Sequence, residues 1–126
     1  MATEHLIAIV DDDQSARESV TDLVQSMGFA ARAFVSGEEF LKKGSVQGTS
    51  CLVADIQMPG MSGLALRKQL AVSGHDIPTV LMTACPNDRD WEEAARLGVV
   101  CYLAKPLDDK VLLACFQIAF ASRETG

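Results

Sequence analysis

Five polar residues stand where apolar segments stop, and their types belong to one chemistry. Asp11 and Asp12 follow the run Leu6-Ile7-Ala8-Ile9-Val10, and Asp55 follows Cys51-Leu52-Val53-Ala54. Thr83 follows the segment Ile77 to Met82, and Lys105 comes just after Val99 to Leu103. Carboxylates brought together repel, and one of them takes a proton unless a cation compensates. Oxygen-only ligands select a hard ion, magnesium above all, which keeps several waters and bridges to phosphate oxygens. Phosphoryl transfer needs an in-line nucleophile and charge stabilisation on the equatorial oxygens. A carboxylate can be that nucleophile. Asp55 suits this role, while the metal, the Lys105 ammonium and the Thr83 hydroxyl suit the three oxygens.

These residues act together only if the intervening chain brings strand ends side by side. The segment 6–10 is apolar throughout, as in a strand covered on both faces. Ala16, Val20, Leu23, Val24 and Met27 then recur at helical spacing, with Arg17, Glu18 and Asp22 on the opposite side and Gly28 at the stop. Residues 29–35 read as a less apolar edge strand. Ser36-Gly37-Glu38-Glu39 has capping-box spacing for a short helix through Lys43. After a polar loop over 44–50 comes the third strand, then a turn over 58–63 and a helix over 64–72. A fourth strand over 77–82 tolerates Pro78 near its start. Asn87 can cap a helix running to Leu97, ahead of Gly98. A fifth strand spans 99–103, and the last helix runs from Asp108 to about Ser122. Strand and helix alternate five times, which predicts a parallel sheet with helices on both faces. In open sheets of this kind ligands bind beyond the carboxyl ends of the strands.

Composition narrows the possibilities further. The 126 residues suit one domain, and 48% are hydrophobic. Eleven Lys plus Arg stand against 17 Asp plus Glu, a formal charge of -6. Such a domain has no general attraction for nucleic acid or anionic membrane. No apolar run suits a bilayer span, and the start Met1-Ala2-Thr3-Glu4-His5 lacks a secretory pattern, which predicts the cytoplasm. Cys51, Cys85, Cys101 and Cys115 make no C-x-x-C pair and give no basis for a zinc site. They read as small core hydrophobes, reduced in a reducing compartment.

With these residues in order, the chain resembles the receiver domain of two-component response regulators. The resemblance rests on Val10-Asp11-Asp12-Asp13, Asp55-Ile56-Gln57-Met58-Pro59-Gly60-Met61-Ser62-Gly63, Met82-Thr83-Ala84 and Lys105-Pro106. Each piece is weak by itself; together they are specific and span Leu6 to about Ala121. Gly28-Phe29 and Phe34-Val35-Ser36-Gly37-Glu38-Glu39-Phe40-Leu41 are similar to receivers of nitrogen-fixation-type regulators. The resemblance implies a flavodoxin-like (βα)5 sandwich with sheet order 2-1-3-4-5, filling residues 1–126 with a core over about 5–122. It implies that Asp55 is the phosphoacceptor, with a sensor histidine kinase or acetyl phosphate as donor. Asp11, Asp12, Asp55 and the backbone carbonyl of Gln57 would hold Mg2+, for which Mn2+ or Ca2+ can substitute, and Asp12 would be the more direct ligand of the acidic pair. Thr83 and Lys105 would contact the phosphoryl group, and the Lys105-Pro106 bond would be cis. Phosphorylation would draw Thr83 inward and let Tyr102 follow, biasing the face made by the fourth helix, fifth strand and fifth helix. In this reading the protein is a switch rather than an enzyme.

Other residues carry milder expectations. Asp13 reads as a helix cap and not a ligand. His5 and His75 read as solvent-facing. Trp91, amid Asp88, Arg89, Asp90, Glu92 and Glu93, reads either as a partner contact or as packing on its own helix. The stretch 111–120 is apolar almost all round, which predicts a homodimer or partner surface including Leu112, Leu113, Phe116 and Phe120. Gln57 and Cys85, with Pro86 behind it, depart from common receivers and are candidates for tuning dephosphorylation. Three rivals remain: an aspartyl phosphohydrolase, which would want an acid where Gln57 stands; a flavin carrier, which would want a Ser/Thr/Gly loop where Asp11-Asp12-Asp13 stands; and a receiver-like partner-binding module without phosphorylation. Met1 favours a stand-alone receiver over one excised from a longer regulator.

Overall fold

The computed structural model describes residues 5–44 and 46–125, with side-chain surroundings through residue 121. Met1–Glu4 and the final residue, on which the expectations about a leader and the chain ends rest, lie outside the described residues. Ten elements alternate: β1 (Leu6–Val10), α1 (Gln14–Ser26), β2 (Ala30–Phe34), α2 (Gly37–Lys43), β3 (Cys51–Asp55), α3 (Gly63–Val72), β4 (Thr79–Thr83), α4 (Asp88–Arg96), β5 (Cys101–Ala104) and α5 (Asp109–Thr125). The strands form one parallel sheet in the order β2-β1-β3-β4-β5. Both the alternation read from the sequence and the strand order implied by the resemblance are present.

Side chains alternate across each strand, so the sheet feeds two cores. Ile7, Ile9, Cys51, Val53, Val80 and Met82 face α1 and α5. Ala8, Val10, Leu52, Ala54 and Leu81 face α2, α3 and α4. The central strands β3 and β4 are buried at every residue, whereas β2 exposes Arg32 and Ala33 as an edge strand does. Helix starts follow their caps. Asp13, Ser36, Ser62 and Asn87 each accept a backbone N–H from the first turn of α1, α2, α3 and α4. Asp13 therefore has its expected role. Glu39 also reaches back to accept the Val35 N–H at 3.0 Å. The fourth and fifth strands start two residues later than their patterns suggest, because Ile77-Pro78 and Val99-Val100 enter the sheet as loops. Among the described residues no helix is long and apolar enough to cross a membrane.

Three expectations need correction. Leu112, Phe116 and Phe120 do not form an outer surface: they are 0%, 0% and 8% exposed in the α1/α5 core. The wide apolar surface of α5 is used internally, against β1, β3 and β4 from one side and Phe29 from the other. Leu113 is half-buried, and the large exposed apolar side chains among the described residues of α5 are Val111 and Ile118. His5 is not solvent-facing; its ring stacks on Phe120 with centroids 3.8 Å apart, and its Nδ1 lies 3.4 Å from the Ser50 hydroxyl. Finally, not every cysteine is a reduced core residue. Cys101 at the head of β5 and Cys115 in α5 are joined as a disulfide, since strand and helix pack with their Cα atoms 6.3 Å apart. Cys51 is buried as expected, and Cys85 is exposed.

Candidate functional site

The parallel sheet ends all its strands in the same direction, so their terminal residues share one edge. Asp55 is the last residue of β3 and Thr83 the last of β4, while Asp11 and Asp12 immediately follow β1. β1 and β3 are neighbours although β2 lies between them in sequence, so strand order reverses there and the loops diverge. The acids occupy that crevice. Carboxylate oxygens of Asp11, Asp12 and Asp55 all lie within 4.8 Å of one another. Asp11 is fully buried, Asp55 nearly so, and Asp12 faces outward. A cation held between them would therefore keep a solvent-facing side, as magnesium with its retained waters requires.

Lys105 closes the cluster from the far side of the sheet. Its ammonium donates to Asp11 Oδ2 at 2.8 Å and to Asp55 Oδ2 at 3.2 Å. The peptide bond between Lys105 and Pro106 is cis, as expected. Burial pushes the Asp55 carboxyl above the ordinary carboxylate range, the neighbouring Asp11 charge adds to this, and Lys105 offsets only part of it. Burial pushes Lys105 down, but its hydrogen bond to Asp11 and the charges of Asp11 and Asp55 outweigh that and hold the ammonium above its ordinary range. One cation is thus insufficient for these acids. An all-oxygen donor set with surplus negative charge fits a hard divalent ion.

Backbone and turns hold the carboxylates in place. Asp55 Oδ1 accepts the Gln57 N–H at 3.2 Å, which turns the chain back over the acid. Gln57 itself is exposed beside the site. Asp11 Oδ1 accepts the Asp13 N–H at 3.0 Å. Gly63 starts α3 directly behind Asp55; a Cβ there would lie 2.5 Å from the Asp55 carbonyl oxygen. Thr83 is fully buried and its hydroxyl accepts the Cys85 N–H at 3.1 Å. Tyr102 is half-buried in β5, and its hydroxyl accepts the Asn87 N–H at 3.0 Å and lies 3.4 Å from the Asn87 carbonyl. Tyr102 is therefore tied to the cap of α4 rather than to the acids. Trp91 is 57% exposed on α4.

Two contributors were not apparent from the sequence. Arg17 donates to the Asp11 carbonyl at 2.7 Å and so braces the loop that carries both acids. Its helical position assigned it to the outer side of α1; only the fold of the β1–α1 turn reveals its target. Asn87 caps α4 as its spacing predicts, and it is also the partner of Tyr102. No sequence spacing signals a contact between residues on different elements.

Comparison with known proteins agrees with this geometry. The sequence model of the response regulator receiver domain matches residues 7–117. The chain is 35% identical over 121 residues to the transcriptional regulatory protein FixJ of Azorhizobium caulinodans, covering 95% of this chain and 57% of that protein. It is 37% identical over 112 residues to nodulation protein W of Bradyrhizobium diazoefficiens, covering 89% of this chain and 49% of that one. The chain thus spans about half the length of these curated relatives. Among solved structures, the crystal structure of FixJ-N superposes with a TM-score of 0.83 at 29% identity over 94% of both chains.

Proposed function

The chain belongs to the response regulator receiver family, and on that premise we propose that it is a phosphorylation-driven switch with Asp55 as its phosphoacceptor. The observation that carries the proposal is the Lys105 ammonium bonded at once to Asp11 and Asp55, residues 94 and 50 positions away, within the crevice of three acids. An Asp55 carboxylate oxygen attacks the phosphorus of a kinase phosphohistidine or of acetyl phosphate, and the imidazole or acetate departs. Asp11, Asp12, Asp55 and the Gln57 carbonyl would hold Mg2+, which when bound neutralises carboxylate and phosphoryl oxygens together. Lys105 exchanges its bond to Asp55 for one to the new phosphoryl group, keeping Asp11 as its anchor. Thr83 gives up the Cys85 N–H and turns its hydroxyl to a phosphoryl oxygen. Tyr102 then leaves Asn87 for the space beside Thr83, which frees the start of α4.

The signal in this reading passes through α4, β5 and α5 to a partner or output domain, in the cytoplasm. The FixJ relative is named as a transcriptional regulatory protein, and both relatives above are longer than this chain, which supports an output carried elsewhere. Exposed Trp91 on α4 supports a partner surface there; on α5 that surface would use Val111, Leu113 and Ile118. Gln57, whose N–H bonds Asp55, and Cys85, whose N–H bonds Thr83, are both exposed, which supports a role for them in adjusting water access to the acyl phosphate.

The test is incubation with acetyl phosphate and magnesium, followed by intact mass. The expected result is a gain of one phosphoryl group that disappears in Asp55→Ala and when the metal is chelated. No gain on the unaltered chain, or a gain that survives Asp55→Ala, overturns the proposal. A second measurement uses the acid's environment. Asp55 is protonated in folded and unfolded chain alike well below the ordinary carboxylate range, and ionised in both well above its raised folded value. Its ionisation therefore costs the metal-free fold stability as pH rises between those limits. In magnesium-free buffer Asp55→Asn should raise the thermal midpoint at neutral pH and lose that advantage in strong acid.

A further inference from the structure

Cys101 and Cys115 lie outside the phosphorylation site, and the switch described above does not use them. They are 14 residues apart in sequence, one at the head of β5 and one midway along α5. Their Cα separation of 6.3 Å lies within the range that a disulfide spans, and the sulfurs are joined. The two ends differ in access. Cys115 is 2% exposed in the α1/α5 core, whereas Cys101 is half-buried at the margin of the sheet. The fold has two full apolar cores and has no structural need of a covalent staple, unlike small domains that cannot build one. A cystine with one end at the margin of such a fold has the character of a redox couple, not of a permanent brace.

We propose that Cys101 and Cys115 are a reversible dithiol–disulfide pair that clamps α5 to β5, closed by a hydroperoxide and reopened by a dithiol reductant. The thiolate of Cys101, the less buried of the two, attacks the peroxide; the O–O bond breaks, the sulfur becomes a sulfenic acid, and the departing oxygen takes a proton from solvent and leaves as an alcohol (water, for hydrogen peroxide). Cys115 then attacks the Cys101 sulfur. The S–S bond forms, the S–O bond breaks, and the hydroxyl departs as water with the Cys115 proton. The two sulfurs lose two electrons in total, and the peroxide takes them up. A dithiol reverses the bond by exchange through a mixed disulfide. The closed clamp ties the middle of α5 to the residue next to Tyr102. Its effect on signalling rests on the switch proposed above, but its chemistry does not.

The test starts from reduced protein carrying Cys85→Ser, which removes the exposed thiol. Hydrogen peroxide is added under native conditions, intact mass is read, and remaining thiols are then alkylated in a second portion for peptide mapping. The expected product is lighter by two hydrogen atoms, contains a linked Cys101–Cys115 peptide pair, and returns to the starting mass with dithiothreitol. With Cys115→Ala, dimedone should label Cys101 as a sulfenic acid. Cys101→Ser, read in parallel, should prevent the link even if the buried substitution at 115 impairs folding. Amide hydrogen exchange in α5 should be about tenfold slower in the closed form than in the reduced form. Both thiols remaining alkylatable after peroxide, or a link that forms only in denaturant, overturns the couple. Equal exchange in the two forms overturns the clamp. None of these readouts involves Asp55, so the result is independent of acetyl phosphate labelling.

Discussion

α4 and α5 precede and follow the same strand, β5, yet they are held to the sheet very differently. α5 buries Leu112, Cys115, Phe116, Ala119 and Phe120, and its rings pack edge-on and stacked with Phe29 and His5. α4 buries only Ala94, with Leu97 at its end partly covered. Its order depends instead on polar groups at its start: Asn87 accepts the Asp90 N–H at 2.8 Å and donates to the Cys85 carbonyl at 3.2 Å, while Tyr102 bonds the Asn87 backbone. Elements with little buried apolar surface open at low free energy, and moving parts are drawn from them. In the switch proposed above, this difference makes α4 the movable element and α5 the fixed one. It also removes the α5 rings that the sequence pattern makes conspicuous from any outer surface.

The comparison can be broken most directly at Phe116. Replacing this fully buried ring by Ala should cost about 3–5 kcal/mol in urea unfolding. A loss below about 1 kcal/mol would mean that α5 is not the anchor. Asn87→Ala comes next, with about 1 kcal/mol expected from the lost cap. Native-state hydrogen exchange should show α4 amides accelerating in that variant while α5 amides keep their protection; uniform acceleration would show that the two helices open together. The smallest effect belongs to Trp91→Ala, within about 0.5 kcal/mol, because the side chain is 57% exposed. A larger loss would mean that Trp91 packs on its own chain and is unavailable as a contact.

Much of the site was legible before any coordinates, for a physical reason. A buried strand must be apolar, so a carboxylate or hydroxyl at its end is conspicuous, and a parallel sheet puts all such ends on one edge. Asp11, Asp12, Asp55, Thr83 and Lys105 stand out in this way, and the five alternations imply the sheet that collects them. Caps were equally readable at Asp13, Ser36 and Asn87, since they depend on neighbours three residues away. Contacts between elements were not. The excess apolar character of α5 pointed outward by pattern and turned inward in fact, because a helix pattern does not say how much of its circumference the sheet and Phe29 will cover. The Arg17 brace on the Asp11 carbonyl, the His5 stack on Phe120 and the tether from Tyr102 to Asn87 are likewise invisible to periodicity.

Residue type and strand burial thus mark, from the sequence, groups suited to phosphoryl chemistry and the sheet edge where they gather. Only the tertiary structure decided how that edge is connected to the rest of the molecule. It joined Lys105 to both Asp11 and Asp55, brought Cys101 and Cys115 within bonding reach, and left α4 lightly held beside a firmly packed α5. The physical reason is that residue type sets what a group can do, whereas reach, burial and mobility depend on which distant segments pack against it.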